Sequence, residues 1–190
     1  MILYMKNNNF KLVLFDIGGV LIEYEKVFTT VGQEQHFSNN LIGDTFDKYH
    51  REISIGEITP RELYLKCIRE NNLKADKDYD FIQSWINDYL TIKPTYDFLI
   101  EISAKYNIGL LSNIYKGMVE LMIEQEIIPN IDYKYKFLSC DLGMQKPDEV
   151  IYQYILDFTQ LKPNQILFID DKNKFIKPAK KKGWEYIFIS

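Results

Sequence analysis

The sequence predicts an α/β fold: a three-layer sandwich on a parallel central sheet, with a small helical bundle inserted into it. Three observations predict it. Four apolar runs, Leu12–Phe15, Ile108–Leu111, Ile166–Ile169 and Tyr186–Ile189, carry almost no polar alternation, as strands do when helices cover both faces of their sheet. Helical periodicity fills the segments between them, the alternation of parallel βα units. One long stretch, from about Val27 to Ile92, is helical throughout.

The first strand follows a polar lead-in at Asn7–Asn9. Inside the helical stretch, "TPREL" offers Thr59 as N-cap, Pro60 in the first turn and Glu62 as the return partner of a capping box. Leu63, Tyr64, Cys67 and Ile68 then share one face, and Phe81, Ile82, Trp85, Ile86, Tyr89 and Leu90 form a second apolar stripe. Both stripes are expected to be core. "PTYDFLIEISAKYN" precedes the second strand, and "YKGMVELMIEQEI" follows it. Tyr135–Leu138 is a weaker strand. In "KPDEVIYQYILDFT", Pro147 suits a first turn, and Val150, Ile151, Tyr154, Ile155 and Phe158 fall on one helical face. The expected division is a core of residues 1–24 and 93–190 around an insert of residues 25–92.

A chain of 190 residues can bury one sizeable core and an accessory bundle. The net charge of −4 argues against nucleic acid or an anionic membrane as partner. No apolar run approaches the length of a membrane span. The opening "MILYMKNNNF" lacks the apolar length and the cleavage site of a secretory signal. Cys67 and Cys140 make no disulfide framework, which fits a reducing compartment. The expectation is a cytoplasmic protein, monomer or homodimer.

In open parallel sheets, ligands bind outside the carboxyl ends of the strands. Asp16 follows the first strand, Ser112 and Asn113 follow the second, and Asp170 and Asp171 follow the run Ile166–Ile169. Three converging carboxylates repel one another. A divalent cation with oxygen ligands offsets this, and magnesium is the natural candidate. Lys146 stands just before Pro147 at a helix start, where a cation opposes the helix dipole unless an anion such as phosphate lies nearby.

The pieces "LFDIGGVL", "LLSN", "LGMQKPDEVIYQYIL" and "ILFIDDKNKFIKPAKKKGW" together resemble the haloacid dehalogenase-like hydrolase superfamily, in that family's order. The resemblance runs from the first strand almost to the C-terminus. It implies a Rossmann-like core, with residues 25–92 as a helical cap. "GEIT" and "LGMQKP" look most like bacterial glucose-1-phosphate phosphatase and related sugar phosphatases. By this resemblance Asp16 is the nucleophile of a magnesium-dependent phosphatase acting through an aspartyl-phosphate. Ser112, Asn113 and Lys146 would bind the phosphoryl group. Asp16, Asp170, Asp171 and the Gly18 backbone carbonyl would hold Mg²⁺. The implied substrate is a small phosphorylated metabolite, a sugar phosphate foremost.

Two positions depart from the family pattern. Gly18 stands where such phosphatases usually carry a second Asp that protonates the leaving group, a contribution of roughly 10²–10⁴-fold. Phe175 stands where relatives carry Asn or Asp. The implied enzyme is therefore slow, or favours substrates with an easier leaving group, or takes its acid from elsewhere, with Glu23, His36 and His50 as candidates. His36 and His50 are otherwise surface or packing residues. A catalytically degenerate member that binds a phosphorylated ligand or a protein partner is the alternative. A haloacid dehalogenase is a third, which the Asp170–Asp171 pair disfavours, since that branch works without magnesium. The basic run from Lys172 to Lys182 is expected to be a solvated helix face that complements the helix dipole.

Overall fold

A computed structural model describes residues 9–24 and 28–189. Five parallel strands form the central sheet: β1 (Leu12–Phe15), β4 (Asn107–Ser112), β5 (Tyr133–Leu138), β6 (Ile166–Asp170) and β7 (Glu185–Phe188). Their spatial order is β5-β4-β1-β6-β7. The first strand therefore lies between β4 and β6, in registers that place Phe15 beside Leu110 and Ile169. The order in which strands are added reverses at β1, the position where open α/β sheets form a crevice.

Alternate residues of each central strand feed two cores. Val13, Phe15, Leu110, Leu167 and Ile169 pack on one face, and Leu12, Leu14, Leu111, Ile166 and Phe168 on the other. This is the apolar-on-both-sides pattern that made the runs legible. The second face is covered by α9 (Glu149–Thr159) and α10 (Asn173–Lys181). The first is covered by α6 (Lys93–Ser103) and α7 (Met118–Glu124), whose apolar residues join a core continuous with the inserted helices. A short helix, α8 (Ser139–Leu142), follows β5. At Gly109 the Leu14 side chain and the Tyr135 carbonyl lie 2.8 and 2.9 Å from where a Cβ would stand, so β4 needs glycine to approach both neighbours.

Among the described residues, five helices run between β2 (Ile22–Glu23) and β3 (Leu90–Thr91): α1 (Thr29–Gln35), α2 (Asn39–Lys48), α3 (His50–Ser54), α4 (Pro60–Glu70) and α5 (Phe81–Ile86). The Thr59–Glu62 capping box forms at the start of α4, and Leu63, Tyr64, Cys67 and Ile68 are all buried. Aromatic rings dominate the bundle core, with Phe28 4.6 Å from Trp85 and Phe81 5.4 Å from Trp85. The strands β2 and β3 pair antiparallel, Ile22 with Thr91 and Glu23 with Leu90, so the entry to and exit from the insert run side by side.

Several expectations shift. The helix stripe after Asp80 ends at Ile86, and Leu90 lies in β3, 64% exposed. The buried face of α9 is Ile151, Tyr152 and Ile155, while Val150 and Phe158 face outward. Pro147 precedes the N-cap Asp148 rather than standing in the first turn. The Val150 and Phe158 difference has a plain cause: periodicity marks the apolar residues but not which third of the helix the tertiary fold turns inward. The weak run became a full strand from Tyr133 because β4 pairs with it. Val27 and the Asn7–Asn8 part of the lead-in lie outside the described residues. No described helix is long and apolar enough to cross a membrane.

Candidate active site

Because β1, β4 and β6 are adjacent and parallel, their carboxyl ends bring Asp16, Ser112 and Asp170 to one edge. All three are buried. Lys146 reaches the same point from the loop between α8 and α9. Its ammonium lies 2.9 Å from Asp16 Oδ1 and 2.7 Å from Asp170 Oδ2, and it is only 1% exposed. Asn113 places that loop: its Oδ1 accepts from the Lys146 N–H and its Nδ2 donates to the Lys146 carbonyl, both at 2.8 Å. An ammonium has three protons, so two carboxylates leave one to aim elsewhere. Phe175 is buried with its ring centroid 4.6 Å from Lys146 Nζ, and Phe168 offers a second ring at 5.3 Å. Phe175 seats this lysine by a cation–π contact.

Asp16 Oδ1 accepts from the Ile17 N–H at 2.8 Å as well as from Lys146. Both contacts fall on Oδ1 and leave Oδ2 outside them. Asp170 Oδ1 accepts from the Lys172 N–H at 2.7 Å. Burial pushes Asp170 up to about 6 against the pull of Lys146, and burial also raises Asp171. Asp16, Asp170 and Asp171 each offer one oxygen, all within 4.8 Å of one another, and Asp171 Oδ1 is buried with no hydrogen-bond partner among the described residues. Lys146 sits within the cluster and the charge of Lys172 pulls Asp171 down, yet two lysines do not neutralise three carboxylates. An all-oxygen donor set with an orphaned buried oxygen suits a hard divalent cation.

The turn after Asp16 divides its two glycines by role. Gly19 has φ +78°, and a Cβ there would stand 2.2 Å from Asp171 Oδ2, so glycine is what lets the Asp171 carboxylate approach the backbone. Gly18 has no positive φ; a side chain there meets the Tyr24 ring, 3.0 Å from the Cβ position. The Gly19 N–H donates to the Ile22 carbonyl and the Ile22 N–H to the Ile17 carbonyl, so the Gly18 carbonyl takes no part in these bonds. Gly19→Ala should cost about 1–2 kcal/mol of stability for the left-handed backbone alone and displace Asp171. Chemical denaturation and a magnesium titration of the variant check this, and wild-type magnesium affinity in it would refute the assignment.

The site opens into a cavity of about 380 Å³. Asp16, Gly18, Ser112, Asn113 and Lys146 line its floor, and the insert contributes Phe46, His50 and Trp85. His50 is the one of the three candidate acids that lines the cavity; His36 and Glu23 are exposed and do not. Sequence reasoning missed Tyr24, Lys172 and Gln145. The Gln145 Oε1 is buried without a partner among the described residues. Lys172, expected on a solvated face, lines the cavity, whereas Lys181 and Lys182 do lie on the surface, paired with Glu149 and Gln153. Its position beside Asp171 was the available signal.

Acidic residues at the carboxyl ends of a switch-point sheet, beside an inserted bundle, define a class of α/β protein whose site lies at its sheet edge. The chain belongs to the haloacid dehalogenase-like hydrolase family, whose model matches residues 10–181. It is similar to a D-ribitol-5-phosphate phosphatase of Bacteroides thetaiotaomicron, 26% identical over 92% of this chain and 89% of that protein. Its fold matches a family enzyme from the same organism, solved in complex with magnesium and inorganic phosphate, with TM-score 0.74 and 20% identity over 95% and 94% of the two chains. It also matches the L-2-haloacid dehalogenase of Xanthobacter autotrophicus, with TM-score 0.69 and 17% identity over 95% and 77%.

Proposed function

We propose that this chain is a magnesium-dependent phosphatase of small phosphorylated metabolites, sugar phosphates foremost. The observation that carries the reading is the cluster of Asp16, Lys146, Asp170 and Asp171, with Asp171 Oδ1 unpartnered. The phosphatase relative and the magnesium and phosphate in the structural neighbour support it. Asp16, Asp170, Asp171 and the Gly18 carbonyl would hold the metal. When bound, magnesium supplies the positive charge that offsets the carboxylates and screens them from the phosphate.

Asp16 Oδ2 attacks phosphorus, and the aspartyl-phosphate so formed is then hydrolysed by water. The Ile17 N–H and Lys146 hold Oδ1 and so orient the carboxylate. The remaining Lys146 proton, the Ser112 hydroxyl and the Asn113 region face the phosphoryl oxygens, where donors stabilise the growing charge. Residues 25–92 act as a cap on the paired strands β2 and β3. Lys116 Nζ donates to the Gly56 carbonyl at 2.6 Å, a contact between core and insert.

A screen of phosphorylated metabolites with magnesium and with chelator tests the reading. Magnesium-dependent phosphate release is expected; equal release in chelator, or none from any ester, would overturn it. A non-catalytic ligand binder is the second reading and rests on Gly18, since Phe175 has a role at Lys146. Magnesium affinity should weaken as pH falls through about 6, because Asp170 is pushed up to about 6 and then holds a proton the metal must displace. The loss should approach roughly tenfold per pH unit for each displaced proton, read by calorimetry at pH 5 and 8. An affinity independent of pH across that range would exclude Asp170 as a ligand.

A further inference from the structure

We propose that Lys172, held in place by Tyr24, supplies at the leaving-group oxygen the stabilisation that Gly18 lacks a side chain to give. This rests on the phosphatase reading of the same site. The volume a residue-18 side chain would occupy is filled by the Tyr24 ring, whose Cε1, Cδ1 and Cζ lie 3.0, 3.4 and 3.8 Å from the Cβ position. Lys172 Nζ donates to the Tyr24 hydroxyl at 2.6 Å and stands 5.2 Å from its ring centroid. Tyrosine and lysine therefore bring a cation to the edge of the space the missing carboxyl would use. Both residues line the cavity with Asp16.

Lys146 cannot serve both ends of the reaction. Two of its protons face Asp16 and Asp170, and it lies on the phosphoryl side. The leaving oxygen needs another donor, and Lys172 is half-buried, lines the cavity and is tethered to Tyr24. As Asp16 Oδ2 forms its bond to phosphorus, the phosphorus–ester oxygen bond breaks and its electron pair stays on the departing oxygen. A hydrogen bond from the Lys172 ammonium stabilises that alkoxide. The alkoxide then takes a proton from water, and the hydroxide left behind is consumed in hydrolysing the aspartyl-phosphate. Lys172 is the catalytic residue in this scheme, and Tyr24 positions it.

The test compares an alkyl phosphate with nitrophenyl phosphate, whose leaving group carries its charge with little help. In Lys172→Met, kcat on the alkyl ester should fall roughly 10²–10³-fold, as for the loss of one preorganised donor, and on the aryl ester by only a small part of that. Lys172→Arg should restore most of the alkyl rate, and Tyr24→Phe should give an intermediate loss with the same preference. Equal losses on both esters in folded Lys172→Met, or no loss on either, would overturn this inference and leave the phosphatase reading standing. Absence of Asp16-dependent turnover on both esters in the wild type would overturn both together.

Discussion

Asp16→Asn should reduce phosphate-ester turnover by roughly 10⁴-fold or more, the scale seen when a nucleophile is removed, while the protein stays folded. The substitution changes one oxygen to an amide nitrogen and little volume. Its Oδ1 still accepts from the Ile17 N–H and Lys146, so the contacts at 2.8 and 2.9 Å survive. Removing one of three clustered carboxylates relieves repulsion, and the Lys146–Asp170 pair at 2.7 Å keeps the buried ammonium compensated. Melting temperature near wild type with loss of turnover separates chemistry from folding. Retention of more than about a hundredth of wild-type turnover would remove Asp16 from the nucleophile's role.

Lys146→Met should have the largest effect on stability. The methionine fills most of the lysine's volume but brings no charge, so Asp16 and Asp170 lose their shared cation in a buried place. Breaking a buried ion pair by removing one partner typically costs about 3–5 kcal/mol. The deficit should be greatest in chelator and shrink with magnesium, because a bound cation restores charge balance to the same carboxylates. Vanadate or beryllium fluoride, which mimics the phosphoryl group, should raise the wild-type melting temperature only when magnesium is present. Lys146→Met should lose most of that gain. A variant as stable as wild type in chelator, with an undiminished anion-induced shift, would return Lys146 to a packing role.

Much of this site was readable from sequence because strand-end position is a local property. Asp16, Ser112 and Asp170 each terminate a run whose apolar pattern announces a buried parallel strand, and such strands share a carboxyl edge. The capping box at Thr59 is equally local and formed as expected. What failed were statements about which side of a pattern turns inward. Val150 and Phe158 share a helical stripe with Ile151, yet both face out because α9 meets the sheet through Ile151, Tyr152 and Ile155. Phe175 looked like a lost polar ligand; its ring lies against Lys146, a contact that depends on how α10 packs beside the loop before α9.

By itself, the sequence determined the α/β class, the strand ends that carry Asp16, Ser112, Asp170 and Asp171, and the helical nature of the insert. Each follows from side-chain period and residue type within a dozen neighbouring positions. Only the tertiary structure decided how Asn113 grips the Lys146 backbone, why Gly19 yields to Asp171, and how Tyr24 occupies the space beside Gly18 while holding Lys172. The Tyr24–Lys172 pair joins residues 148 positions apart. No local pattern encodes such a contact, because it exists only when the β1 and β6 ends are brought side by side.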